Sequence, residues 1–68
     1  MMEVRGQITQ MMGSHARVSC EDGNARVCRI RLHKKLRAGD IVLVRPWEVE
    51  SDKKEDIITF LSKGVLPK

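Results

Sequence analysis

Val4, Gly6 and Ile8 alternate with Arg5, Gln7 and Thr9. That is the period-two pattern of a strand with one buried face, and it predicts a first strand from about Glu3 to Met12. Gly6 would weaken the interior of an ordinary strand, so its presence predicts a sharp bend of the kind that closes a small barrel. Gly13-Ser14 breaks the run as a turn. Alternation resumes from His15 to Cys20, with Val18 and Cys20 on one face and Arg17 and Ser19 on the other, which gives a second strand. Glu21-Asp22-Gly23-Asn24 then places Asp-Gly at the centre of a hairpin, and in a two-residue turn of that kind both central residues take positive φ. The third strand runs from Ala25 to about Arg31. Its phase is mixed: Cys28 and Ile30 share one face while Val27 falls on the other. This predicts a bulge or barrel corner near Val27, with Cys28 and Ile30 inside and Arg29 and Arg31 outside.

Leu32 to Ala38 is basic and too short for an independent helix, though it accommodates one helical turn closed by Gly39. Asp40 to Arg45 contains Ile41-Val42-Leu43-Val44, a strand apolar on both faces, and Pro46 ends it by removing a ladder donor. Trp47 to Lys54 is polar and reads as a loop. Glu55 to Ser62, with Ile57, Ile58, Phe60 and Leu61, predicts a fifth strand or a strand passing into a short helical turn. Lys63 to Lys68 reads as a C-terminal tail. Five short strands, a tight hairpin between the second and third, and an irregular or helical segment between the third and fourth predict an all-β fold, the five-stranded Greek-key barrel of the oligonucleotide-binding type. An SH3-like barrel is the structural competitor.

A chain of 68 residues supports one domain, here residues 1–68, with one small core. The formal charge of +4 points to a polyanionic partner, and its distribution says where. Between Arg29 and Arg45, six cations (Arg29, Arg31, Lys34, Lys35, Arg37 and Arg45) stand against the single acid Asp40, a net of +5. Glu48 to Asp56 carries five acids against Lys53 and Lys54, so the molecule is polarised into a basic zone and an acidic loop. No apolar run is long enough to span a bilayer and no signal segment follows the N-terminus, so a cytoplasmic monomer without membrane association is expected. Cys20 and Cys28 match no zinc or disulfide pattern and are expected to be buried thiols in a reducing compartment. A zinc site from Cys20, Cys28, His15 and His33 would require four ligands to converge from irregular spacing.

Certain blocks of the chain are familiar in their order and spacing. Gln10-Met11-Met12-Gly13, Arg17-Val18, Cys20-Glu21-Asp22-Gly23, Arg26-Val27-Cys28-Arg29-Ile30 and above all Gly39-Asp40-Ile41-Val42-Leu43-Val44-Arg45-Pro46-Trp47 resemble the archaeal and eukaryotic translation initiation factor 1A family. Asp52-Lys53-Lys54 followed by Asp56-Ile57-Ile58 looks like that family's acidic loop entering its last strand. The resemblance implies an S1-like oligonucleotide-binding barrel that binds rRNA of the small ribosomal subunit near the decoding site, with other initiation factors as further partners. The chain departs from the family in three ways. Arg31 to Ala38 is shorter than the family's basic segment and lacks an aromatic, the polar N-terminal tail is absent, and the segment after the last strand is cut down. It therefore reads as a minimal or diverged member.

Guanidinium and ammonium groups in the basic zone suit charge-assisted bonds to successive phosphates. The candidate RNA-binding residues are Arg17, Arg29, Arg31, His33, Lys34, Lys35, Arg37, Arg45 and Trp47. The plain alternative for the run is a solvated basic face. Trp47 either stacks on a base or covers the barrel end, and Phe60 is expected in the core. With two aromatics the chain lacks a stacking platform, so recognition is expected to rest on shape and phosphates. No phosphate-binding Gly-rich loop, nucleophile elbow or paired carboxylates occur, so neither an enzyme nor a cofactor is expected. Two functions fit: a translation factor that occupies a ribosomal site, or a general nucleic-acid chaperone or protein-interaction module that keeps the barrel without the ribosomal role.

Overall fold

The computed structural model describes residues 3–45 and 56–64. The expected loop from Trp47 to Lys54, and the tail beyond Gly64, lie outside the described residues. Five strands form: β1 (Val4–Met12), β2 (His15–Cys20), β3 (Ala25–Ile30), β4 (Ile41–Arg45) and β5 (Asp56–Ser62). They close into a barrel in the order β1-β2-β3-β5-β4, with β4 returning to β1. All pairings are antiparallel except β3 with β5, which is parallel. This is the all-β barrel expected from the strand pattern.

Inward side chains at alternate positions build the core. Val4 and Ile8 from β1, Ala16, Val18 and Cys20 from β2, Cys28 from β3, Val42 and Val44 from β4, and Ile57 from β5 are buried together, with Leu36 added from the β3–β4 connection. Both cysteines are therefore core thiols. Among the described residues no group of three or more His, Cys, Asp or Glu side chains is placed to hold a metal ion.

Two local expectations are corrected by the structure, and two alternatives are decided. The β2–β3 register runs unbroken from His15↔Arg29 to Ser19↔Ala25, so no bulge occurs at Val27. Val27 lies on the outer face, 48% exposed. The mixed phase arises because Arg26, opposite Val18, takes an inward position at the barrel end, where its guanidinium pairs with Asp22 (2.8 Å). The register shifts of the sheet fall elsewhere, in β1 between Ile8 and Gln10 and in the β4–β5 pairing at Ile41/Val42 and Leu43/Val44.

The hairpin forms, but with a three-residue loop. Gly23 N donates to Cys20 O (3.0 Å), Cys20 N donates to Asn24 O (2.9 Å), and only Gly23 within the loop has positive φ, at 88°. Asp22 keeps ordinary φ because its carboxylate accepts from Asn24 N (3.1 Å) and from both terminal nitrogens of Arg26, contacts that fix the loop without a left-handed aspartate. The connection between β3 and β4 contains no helical turn. Leu36 is drawn into the core, Gly39 N donates to Ile8 O (2.7 Å), and Ile8 N donates to Asp40 O (2.9 Å). Tied at the core and again at β1, the segment bends over residues 32–34 and runs irregularly to a tight turn, in which Asp40 N donates to Arg37 O (3.1 Å) with Gly39 at φ 101°. β5 likewise remains a strand to Ser62 rather than turning helical.

Gly6 has a packing role that the strand pattern did not disclose. A Cβ there would collide with the Val18 side chain and lie 3.0 Å from Ser19 O and 3.2 Å from Cys20 Sγ. Glycine is required because β1 and β2 approach closely above the core. Gly6→Val should therefore destabilise the barrel by about 1–3 kcal/mol, measured as a lower midpoint in urea unfolding. An unchanged midpoint would show that the Val18 contact relaxes freely.

The hairpin pair also carries a pH dependence. The Arg26 hydrogen bond, reinforced by Asn24 N, lowers the Asp22 pKa from 3.8 to about 2. A carboxylate depressed on folding contributes stability that is complete above its unfolded value and is lost as pH falls through the folded one. Between about pH 4 and pH 2 the wild-type melting temperature should fall more steeply than that of Asp22→Asn. Parallel curves would remove the pair from the acid response.

Candidate nucleic-acid interface

Burial of Leu36 fixes the directions of its neighbours in the irregular β3–β4 connection. Lys34, Lys35 and Arg37 are exposed around it. They line one side of a cleft of about 350 Å³ whose other walls are Ala38, Asp40, Phe60, Lys63 and Gly64. The floor is held by the turn that enters β4. Asp40, 7% exposed, accepts from Arg37 N through Oδ2 (3.0 Å), and Gln7 Nε2 donates to Gly39 O (3.1 Å). Gly64 passes so close to the Gly39 carbonyl that a Cβ would collide with it. That approach brings the end of β5, and with it Lys63, alongside the basic segment.

Phe60 was expected in the core, and the structure divides its role. It packs against the core as a partly buried side chain opposite Val42, yet it also forms a wall of the cleft, with Lys34 Nζ 4.5 Å from its ring centroid. An ammonium over a ring at an exposed site is worth about 0.5–1 kcal/mol, against about 1–3 kcal/mol for a base stacked on an aromatic side chain. The Lys34 contact is the weaker of the two. Among the described residues, Lys34, Lys35, Arg37 and Lys63 form no ion pairs, and the one acid in the lining, Asp40, is turned to the backbone. A recess with four cations and little opposing charge concentrates anions.

The remaining candidates lie elsewhere. Arg29 makes a bidentate pair with Asp56, Nε to Oδ1 at 2.9 Å and Nη2 to Oδ2 at 3.3 Å. The two face each other across the parallel β3–β5 seam, and Arg45 sits opposite Asp56 on the other side. Arg45 Nε is buried without a hydrogen-bond partner among the described residues. Arg17 is exposed on the outer face of β2, in register with Gln10 and Val27. Arg31 and His33 are exposed at the start of the β3–β4 connection. Trp47 lies outside the described residues.

The structure thus gathers Lys34, Lys35 and Arg37 in one recess, sets Arg29 and Arg45 around Asp56, and leaves Arg17 on a separate strand face. Sequence reasoning missed Lys63 and the cleft side of Phe60. The signal that could have found Lys63 is topological: antiparallel β4 and β5 put Ser62 opposite Ile41, at the exit of the basic segment. The geometry offers anion binding beside one aromatic ring.

The Arg29–Asp56 pair is part of barrel closure. Asp56→Asn should destabilise the protein by about 1–3 kcal/mol, because it leaves the Arg29 guanidinium at the seam without its charged partner. Chemical denaturation measures this, and a loss no larger than that of an exposed substitution would show the pair to be ornamental.

The chain is similar to archaeal proteins named translation initiation factor 1A. It is 52% identical to that of Methanococcus aeolicus over 91% of this chain and 64% of the relative. For the Methanococcus maripaludis C5 protein the identity is 49% over 91% and 65%, and for the Methanothermobacter thermautotrophicus protein 43% over 82% and 62%. The chain thus spans under two thirds of the length of these relatives. No family model matches the chain.

Proposed function

The chain belongs to the translation initiation factor 1A family, and from that premise we propose that it acts in translation initiation by binding rRNA of the small ribosomal subunit near the decoding site. The observation that carries this reading is the cleft, in which Lys34, Lys35, Arg37 and Lys63 face a common recess with no ion partner among the described residues. Phosphates are the natural ligand for such a group, since each neutralised phosphate releases condensed counterions. Lys34, Lys35 and Arg37 are the contacts at the centre of the interface, and exposed Arg31, His33 and Arg17 extend it along the chain and the outer strand face. Arg29 acts from a fixed position set by Asp56, with Arg45 beside it, and Trp47 is a further candidate contact. The role is binding rather than catalysis, in the cytoplasm, with other initiation factors as neighbours on the subunit.

Cosedimentation with purified small subunits, challenged with excess single-stranded RNA, tests the reading. The wild-type chain should stay on the subunits under challenge. Release by the competitor would point to general RNA binding instead. Replacing Lys34, Lys35 and Arg37 together by Ala should release the protein, leave its melting temperature unchanged, and flatten the slope of log affinity against log salt by about 2–3. Lys63 lines the same cleft, so it cannot serve in a charge control. Replacing Arg5, Lys53 and Lys54 removes the same charge and leaves the described lining intact. Equal losses from both triple variants would mean that net charge alone governs binding, and undiminished binding by the first would return the basic segment to a solvated face.

A further inference from the structure

The geometry points to a subsite for a single unpaired nucleotide in the cleft, its base laid on Phe60 and its phosphate held among Lys34, Lys35, Arg37 and Lys63. This deepens the proposed RNA-binding function and rests on it. The volume of about 350 Å³ falls in the range of small-molecule sites and is too small for a helical segment. The lining supplies both halves of a nucleotide's chemistry, one aromatic face and a set of cations, within one recess.

The Phe60 ring is positioned to serve. Its body is packed against the core, so it is held in place, while its cleft side is covered by Lys34 Nζ at 4.5 Å. Lys34 is a long, exposed side chain whose ammonium can leave the ring without disturbing the barrel. A base arriving on Phe60 exchanges a weaker contact for a stronger one. The displaced ammonium then becomes a donor for the phosphate of the same nucleotide. Lys63 approaches from the far side because Gly64 lies against the Gly39 carbonyl, and a phosphate there draws together two segments distant in sequence. The nucleotide comes either from an unpaired position in a folded RNA or from a free nucleoside monophosphate; the recognising chemistry is shared.

Fluorescence anisotropy with a labelled, unstructured adenylate RNA hexamer and with a blunt RNA duplex tests the subsite. Phe60→Leu keeps an apolar side chain on the core and removes the ring. It should weaken hexamer binding by roughly 5- to 100-fold while leaving duplex affinity and the salt slope of the hexamer unchanged, since the ring holds no phosphate. Lys63→Ala should instead reduce that slope by about 0.7. Proton NMR of the wild-type chain gives a readout independent of any substitution: Phe60 ring resonances should shift upfield when the hexamer is added. The same shift with adenosine monophosphate would assign the site to free nucleotides as well, and its absence there would restrict the source to an RNA chain. Unmoved ring resonances with the hexamer, or unchanged hexamer affinity in a folded Phe60→Leu protein, would overturn the subsite. The proposed function would survive that result, because it stands or falls with the Lys34, Lys35 and Arg37 variant on ribosomal subunits.

Discussion

Closure of the barrel between β3 and β5 is the constraint on which the rest of the molecule depends. The other seams pair antiparallel strands over four or more positions, whereas this one is a parallel contact of two, Arg29↔Asp56 and Ile30↔Ile57. An open five-stranded sheet would expose two unpaired edges and leave Ile57 without its packing partners. Two terms hold so short a seam. Ile57 is fully buried, which removes a large aliphatic side chain from water, and the bidentate Arg29–Asp56 pair supplies directional bonds where the ladder is thin. Asp56 is also the register partner of Arg45 on β4, so this one residue of β5 is paired with both neighbouring strands.

The same closure sorts the cations. Arg26 is held by Asp22 and Arg29 by Asp56, each through two hydrogen bonds, so both are committed to the barrel. Lys34, Lys35, Arg37 and Lys63 have no such partner among the described residues and meet in one recess. A basic protein therefore divides its positive charge between internal structure and an anion-facing cleft, and the total of +4 conceals that division. The closing seam also creates the cleft, because β5 must lie against β4 for Phe60 and Lys63 to stand opposite the segment that leads into β4.

Much of this fold was legible in the sequence, and the parts that were not share a cause. Strands with clean alternation, β1 and β2, were placed within about a residue, since period-two burial is written locally. β3 was harder because Arg26 occupies an inward position, tolerable only because Asp22 meets it, and a hydropathy pattern cannot display that partnership. After Leu32 the segment takes the irregular of the two forms allowed, because Leu36, Gly39 and Asp40 are tied to the core and to β1, anchors invisible to a seven-residue window. The site followed the same rule. The basic run was plain, but the pairing of Arg29 with a residue 27 positions away and the arrival of Lys63 and Phe60 beside Lys34 are consequences of topology.

On the proposed function, the charge in the cleft sets what RNA binding by charge alone could and could not do. Four phosphate contacts to a single strand give a salt slope of about −2.8, so a fourfold rise in salt lowers affinity roughly 50-fold. Phosphates are identical in every RNA, and such binding is both fragile and indiscriminate. Discrimination has to come from a term that salt does not screen. A flexible strand loses conformational entropy when its phosphates are fixed to a rigid recess, whereas a folded RNA that already presents them in the matching arrangement does not. The cleft meets that condition on the protein side: Leu36 in the core, the turn bonded to Ile8 and Gly64 against Gly39 hold its walls before any ligand arrives. On the proposed function, a barrel with few aromatic rings would favour preformed RNA architecture, which is what a fixed position on a ribosomal subunit would require.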